Sequence, residues 1–194
     1  MSESTGIHWS DEEAARIVRE TYGAVVPDDT SSVAESLYDA SELAGLPSPV
    51  IAMALGLGNP VRVADLRKGE TVLDLGSGGG IDTLLAARRV GPQGRAVGLD
   101  MTASMIVKAR TLAALSAFNN VEFVEGRMEA VPLPDSSVDV AISNGVINLV
   151  TSKGKLFREI IRVLRPGGRL VFADSVVDGC LPKEVLENEA AYAG

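Results

Sequence analysis

The junction at residues 71–81 constrains this chain more than any other stretch. A short apolar run, Thr71-Val-Leu-Asp-Leu75, breaks into Gly76-Ser-Gly-Gly-Gly80, and a helical pattern starts at Ile81. Glycine permits a tight turn and lets backbone approach a ligand closely, so a strand that passes through such a loop into a helix reads as a binding turn. A packing turn would not need four glycines in five residues. The loop alone does not name its ligand, because dinucleotide-binding folds use a similar one.

The rest of the chain supplies the fold for that turn. Beyond Glu70 the reading is strand 71–75, helix 81–90, strand 96–100, helix 102–118, strand 121–124, strand 138–142, helix 155–164 and strand 169–175. Strands alternating with helices predict an α/β, Rossmann-like, mostly parallel sheet with helices on both faces. Residues 1–69 read as a tail and an N-terminal helical cap, and residues 70–194 as the core domain. In the cap, Ser10 and Glu13 have capping-box spacing and open a helix to about Tyr22, closed by Gly23. A loop at 25–32 leads to a second helix at 33–44, and both cap helices are expected to close over the binding turn as a lid, since Ile17, Val18, Leu37 and Leu43 need burial. Pro47, Pro49, Gly56, Gly58 and Pro60 then punctuate an irregular stretch, and Pro60 starts a short helix.

Composition excludes several classes of function. The 194 residues carry a formal net charge of −8 and show no Lys/Arg stripe of the kind that neutralises nucleic-acid phosphates. The lone Cys180 rules out an intrachain disulfide, and the lone His8, in the polar tail, leaves no material for a histidine zinc site or a serine triad. With no signal peptide and no apolar run of about 18 residues, a cytoplasmic protein without membrane contact is expected.

Two acids sharpen the binding turn. Asp74 stands two residues before Gly76, where it would repel a pyrophosphate and favour a cation. This disfavours a nicotinamide-dependent dehydrogenase. S-adenosylmethionine carries a sulfonium and an ammonium group and meets the requirement. Asp100 ends the second strand, twenty residues after Gly80, where a nucleoside-binding α/β fold places an acid on the ribose hydroxyls. Asp100 could instead cap the following helix, a role Thr102 can also fill.

Ligands in open α/β sheets sit beyond the carboxyl ends of the strands. That rule gathers Asp74, Gly76, Ser77, Gly78, Asp100 and Met101 with Arg127, Met128, Glu129 and Asn144 as cofactor-binding candidates. Met128 could pack on an adenine face, Glu129 could accept from its amino group, and Asn144 could face the methionine part; each could equally be an ordinary loop residue. Tyr22, Tyr38 and Asn148 are candidates for the substrate side, with simple packing as the alternative for the tyrosines. No general base stands out and no metal ligands are identified.

Residues 73–80, Gly98-Leu-Asp100, Leu133-Pro-Asp-Ser-Ser-Val-Asp-Val140 and Val163-Leu-Arg-Pro-Gly-Gly-Arg-Leu170 resemble class I methyltransferases, including those of quinone biosynthesis. Gly58-Asn-Pro60, Asp74 to Asp82 and Ser143-Asn-Gly-Val-Ile-Asn-Leu149 are similar to the arsenite methyltransferases. The resemblance covers roughly residues 22–182 and implies a methyl transfer from S-adenosylmethionine to a small molecule. It also implies cysteine thiolates for arsenic(III), a soft metalloid, and here the chain departs. Gly145 occupies one family cysteine position, the N-terminal region has no cysteine, and Cys180 matches none of the family positions. Arsenite methylation is therefore not expected, and a non-catalytic module that binds the cofactor or a partner is the alternative reading.

The resemblance further implies seven strands, of which five are legible. The 19 residues after Ser175 read as Pro182 followed by a helix at 183–192. The sheet is thus expected to lack its last two strands and to leave the fifth as an edge. A second copy, a partner chain or the C-terminal helix is expected to cover that edge.

Overall fold

Continuous apolar strands that must bury both faces dictate the architecture. The computed structural model describes residues 9–25, 32–179 and 181–193; His8, Cys180 and most of the expected 25–32 loop lie outside them. The core holds five parallel strands: β1 (Thr71–Leu75), β2 (Arg95–Asp100), β3 (Val121–Glu125), β4 (Val138–Asn144) and β5 (Leu164–Ala173), in the order β3-β2-β1-β4-β5. The chain winds outward from β1 through β2 to β3, then crosses back to β4, so the strand order reverses between β1 and β4.

Alternate strand residues feed two cores. Val72, Ala96, Val140 and Ile142 face Leu84, Leu85 and Val90 of helix α6 (Ile81–Val90). Leu73, Leu75, Val97, Leu99 and Ala141 face Leu156, Ile160 and Val163 of α8 (Lys153–Val163). Helix α7 (Ala103–Ala113) lies against β3 through Ile106, Ala109 and Phe123.

The N-terminal cap is more broken than its sequence pattern predicts. Helix α1 (Asp11–Gly23) forms as expected, with Ser10 and Glu13 making the full capping box. The expected 33–44 helix is two, α2 (Ser32–Leu37) and α3 (Ala40–Leu43). The break falls at Asp39, whose N–H is taken by the Glu42 carboxylate at 3.0 Å, a local bond that competes with helix continuation. The 47–60 stretch contains α4 (Ser48–Ile51), and α5 (Pro60–Val63) starts at Pro60 with Asn59 as its cap.

Three other boundaries also shift. Helix α7 stops at Ala113, not Phe118, where the Ser116 hydroxyl bonds the Ala113 carbonyl. Strand β5 starts at Leu164 and absorbs Arg165 to Gly168 in a register shift opposite Val138 and Val140. The C-terminal helix divides into α9 (Lys183–Leu186) and α10 (Glu189–Ala193), with Asn188 capping the second through Ala191 N–H.

Strand β5 is a sheet edge, as expected, and Phe172 on it is exposed. The C-terminal helices do not fold over it. Helix α10 packs against α1 and against Trp9 ahead of it: the Tyr22 hydroxyl donates to Ala193 O at 2.7 Å, Arg16 pairs with Glu189, and the Trp9 and Tyr192 rings meet at 6.2 Å. No described helix is long and apolar enough to cross a membrane.

Gly80, at the mouth of α6, has φ 90°, and a Cβ built there would stand 2.6 Å from the Phe123 ring. Gly80→Ala combines left-handed backbone strain with overpacking, and should lower stability by about 2–5 kcal/mol in chemical denaturation. A loss under about 0.5 kcal/mol would show that the α6–β3 packing is looser than described.

Candidate active site

The turn after β1 is built by the strand beside it. Gly76 N–H and Ser77 N–H both donate to Leu99 O, at 2.8 and 3.0 Å, which folds the loop over the end of β2. Asp100 fastens the arrangement: its Oδ2 accepts from Gly78 N–H at 3.0 Å and its Oδ1 from Thr102 N–H at 2.8 Å. Asp100 therefore braces both the glycine loop and the entry to α7, while Thr102 makes no side-chain cap bond.

A cavity opens over this turn, beyond the carboxyl ends of β1, β2 and β4, where the strand order reverses. Its walls include every residue predicted for cofactor binding: Asp74, Gly76, Ser77, Gly78, Asp100, Met101, Arg127, Met128, Glu129 and Asn144. Of the substrate-side candidates, Tyr22 lines it, whereas Tyr38 and Asn148 are not among its lining residues. Asn148 turns to β5, its N–H donating to Asp174 and its amide to Ser175. Tyr38 is buried beneath the site and its hydroxyl donates to Asp82 Oδ1 at 2.9 Å.

The Asn144 side chain is fully engaged within the protein. Its Oδ1 accepts from Leu57 N–H and Gly58 N–H, and its Nδ2 donates to Gly58 O and to Asp82 Oδ2. It clasps the 56–58 segment to the end of β4. Arg127 is similarly committed, to Glu129 at 2.9 Å and to Glu12 and Asp11 O of α1.

Helix α1 is the roof. Asp11, Ala14, Ala15, Val18 and Tyr22 line the cavity from above. The Asp11 carboxylate accepts from Thr151, Ser152 and Lys155 at the start of α8, and these donors, Thr151 first, hold its pKa far below the usual carboxylate range. The second cap segment, expected to close over the site with α1, instead packs on the α6 face through Ala34 and Tyr38. Among the described cap helices, α1 alone lines the cavity.

Sequence reasoning missed Asp82, the second residue of α6, which lines the cavity and is 5% exposed. An acid in the first helical turn reads as dipole compensation, and nothing local shows that it is buried. The apolar lining from Met53, Leu55, Val146, Leu149 and Val150 was also missed, because it comes from the irregular segments after α4 and β4.

The electrostatics favour a cation. Asp74, Asp82 and Asp100 all face the cavity, and among the described residues none of them is in an ion pair. Asp74 is 2% exposed; burial raises its pKa, and the Asp82 charge raises it further against the Thr83 hydroxyl bond of 2.6 Å. Burial also raises Asp82 and Asp100. Unpaired buried carboxylates are costly unless a positive group arrives or a proton stays. The Ser77 hydroxyl is buried in the same wall with no partner among the described residues. A ribose on Asp100, a free donor at Ser77 and a positively charged end toward Asp74 and Asp82 fit S-adenosylmethionine.

The sheet order, the glycine loop and the strand-end acids together define a class I methyltransferase fold. A family model described as a methyltransferase domain matches residues 66–194, and the chain belongs to that family of S-adenosylmethionine-dependent proteins. It is 46% identical over 174 residues to an arsenite methyltransferase of Halobacterium salinarum, covering 89% of this chain and 44% of that protein. Over 108 residues it is 44% identical to a ubiquinone/menaquinone biosynthesis C-methyltransferase of Enterobacter sp., covering 55% of this chain and 43% of that one. The crystal structure of an arsenic(III) S-adenosylmethionine methyltransferase from Chlamydomonas reinhardtii superposes with a TM-score of 0.68 at 38% identity, covering 75% of this chain and 51% of that chain. The chain thus spans about half the length, or less, of these relatives.

If Asp11 latches the roof, Asp11→Asn, which weakens its bonds to Thr151, Ser152 and Lys155, should speed amide hydrogen exchange in α1 by several-fold. Exchange in β1 and β4 should stay unchanged. Equal exchange in α1 for both proteins would remove the latch.

Proposed function

We propose that this domain binds S-adenosylmethionine across the β1 turn and transfers its methyl group to a small acceptor held under α1. The observation that carries the reading is the cavity wall itself: two buried carboxylates, Asp74 and Asp82, and the half-buried Asp100, none with a basic partner among the described residues, beside an unpaired serine hydroxyl, at the switch point of a parallel sheet. In this reading Asp100 accepts from the ribose hydroxyls, the Ser77 hydroxyl meets a polar group of the cofactor, and Met101, Met128 and Leu99 flank the adenine. Glu129 stays with Arg127 and shapes the rim. The bound cofactor supplies an electrophilic methyl group.

What the chain supplies is alignment and exclusion of water. A methyl transfer between held reactants gains mainly from proximity and orientation. Met53, Leu55, Val146, Leu149, Val150 and Tyr22 make the remaining wall largely apolar, and α1 closes it, which suits a small acceptor with an apolar body. Tyr22 donates its hydroxyl to Ala193, so it contributes ring surface to that wall.

The arsenite relatives motivate a second reading, in which arsenic(III) is the acceptor. Among the described residues the cavity offers it methionine thioethers but no thiolate. Gly145 lines the wall with φ 77°, and a Cβ there would meet Leu57 Cγ at 3.2 Å. No cysteine lines the cavity among the described residues. An arsenic acceptor would need thiols from a cosubstrate or another chain.

Titration calorimetry tests the cofactor assignment. Asp100→Ala should weaken S-adenosylmethionine binding by about 1–3 kcal/mol, roughly 5- to 150-fold, and unchanged affinity would sink the ribose role. A labelled-methyl assay over small phenol, amine, thiol and carbon-acid acceptors should find an acceptor, whereas arsenite with the purified chain should yield no methylated product. Methylated arsenic would favour the second reading. Tight cofactor binding without any transfer would favour a binding module.

A further inference from the structure

Asp82 is the one charged cavity residue whose two oxygens are each held by a neutral side-chain donor from a different element. Tyr38, following α2, donates its hydroxyl to Oδ1 at 2.9 Å, and Asn144, at the end of β4, donates Nδ2 to Oδ2 at 2.9 Å. Asn144 Nδ2 also reaches the Tyr38 oxygen at 3.2 Å, so the three side chains form a closed set. Tyr38 is 3% exposed, and burial followed by the Asp82 charge pushes its pKa far upward. It therefore remains a donor over the range in which Asp82 takes up its proton. Asp74 has a poorer setting, with the Thr83 hydroxyl and backbone as its donors and Asp82 as a like-charged neighbour.

Resting on the cofactor reading above, we infer that Asp82, rather than the strand-end Asp74, is the carboxylate that meets the positive end of the cofactor, and that Tyr38 and Asn144 are positioning residues acting through it. Two like charges in one dry wall do not both ionise readily, so the charge settles where hydrogen bonds stabilise it best. That place is Asp82, where the Asn144 and Tyr38 bonds oppose the upward push of burial. Asp74 is the member that retains the proton. The Ser77 hydroxyl, beside Gly98 of β2 and without a partner among the described residues, leaves the same cavity a free donor.

The other charged groups around Asp82 do not neutralise it. Glu42 of α3 adds a like charge, and Arg62 of α5 and Arg89 of α6 are both spent on Glu42. Asp74 of β1, and Asp100 of β2 beyond it, are acids. The positive partner that this wall lacks is the one the cofactor brings. Protonating Asp82 removes the attraction, so affinity for the cation is full above the Asp82 pKa and falls as pH drops through it. Removing the Tyr38 donor raises that pKa and moves the loss to higher pH.

The test is S-adenosylmethionine affinity by calorimetry from roughly pH 4.5 to pH 7.5, the range in which the cofactor's ammonium stays charged, for the wild-type chain, Tyr38→Phe and Asp82→Asn, with melting curves to establish folding. The wild-type affinity should fall by about tenfold or more towards the acid end. Tyr38→Phe keeps the ring and its packing; its midpoint should move up by about one pH unit, the worth of one hydrogen bond to a charge. Asp82→Asn should bind at least about tenfold more weakly at the alkaline end and lose that pH dependence. A Tyr38→Phe midpoint equal to wild type would overturn the inference, as would an Asp82→Asn profile like wild type. If Asp82→Asn does not fold, the Tyr38→Phe shift decides alone. A wild-type chain that binds no cofactor at any pH would instead remove the function reading, and this inference with it.

Discussion

Parallel pairing of β1 with β2 on one side and β4 on the other is the constraint on which the rest of the molecule depends. The registers Leu75 with Leu99 and Leu75 with Ser143 end three strands at one level. That level sets the heights of Asp74, Asp100 and Asn144, and the carbonyl of Leu99 then captures the N–H groups of Gly76 and Ser77. A one-residue slip would turn Asp74 and Leu75 to opposite faces, placing a carboxylate against Leu156 and a leucine in the cavity wall. The geometry of the turn is thus inherited from the sheet, and the glycines permit it without themselves specifying it.

The acids at these strand ends sit where the domain has little to neutralise them. Arginines are plentiful elsewhere and form rim and surface pairs, such as Arg62 with Glu42, Arg127 with Glu129 and Arg169 with Glu70. The inner wall receives hydroxyls, an amide and backbone N–H groups instead. Neutral donors stabilise a carboxylate while leaving its charge available, whereas a salt bridge would cancel it. That difference separates a structural ion pair from a wall able to attract a cation.

Much of this was legible in the sequence, for local reasons. The β1–glycine–α6 junction, the acid ending β2 and the capping box at Ser10 are each written in fewer than ten consecutive residues. What escaped is tertiary. Asp82 looks like an ordinary first-turn acid until Tyr38 and Asn144, 44 residues before and 62 after, are seen bonded to it. Asn144 was expected to face a ligand but spends its amide on the 56–58 segment. The split of the 33–44 helix and the early start of β5 arise from a side-chain bond at Asp39 and a bulge at Arg165 to Gly168, both too small to disturb an apolar period. The lid was read as two helices because apolar residues in the cap needed burial; the α6 face, already apolar, took the second of them.

The roof is joined to the rest of the domain at both of its ends. Tyr22 reaches Ala193 across 171 residues of sequence, and Asp11 reaches Thr151 across 140. In an unfolded chain such closures are improbable events. Once the sheet has formed, the connecting segments are anchored on a rigid body, and α1 behaves as a ligand tethered to its own receptor. Its effective concentration at the docking surface is then on the order of millimolar. Contacts far too weak to hold a free helix can keep such a tethered one seated for most of the time, and the same weakness lets it lift and reseat without disturbing the sheet.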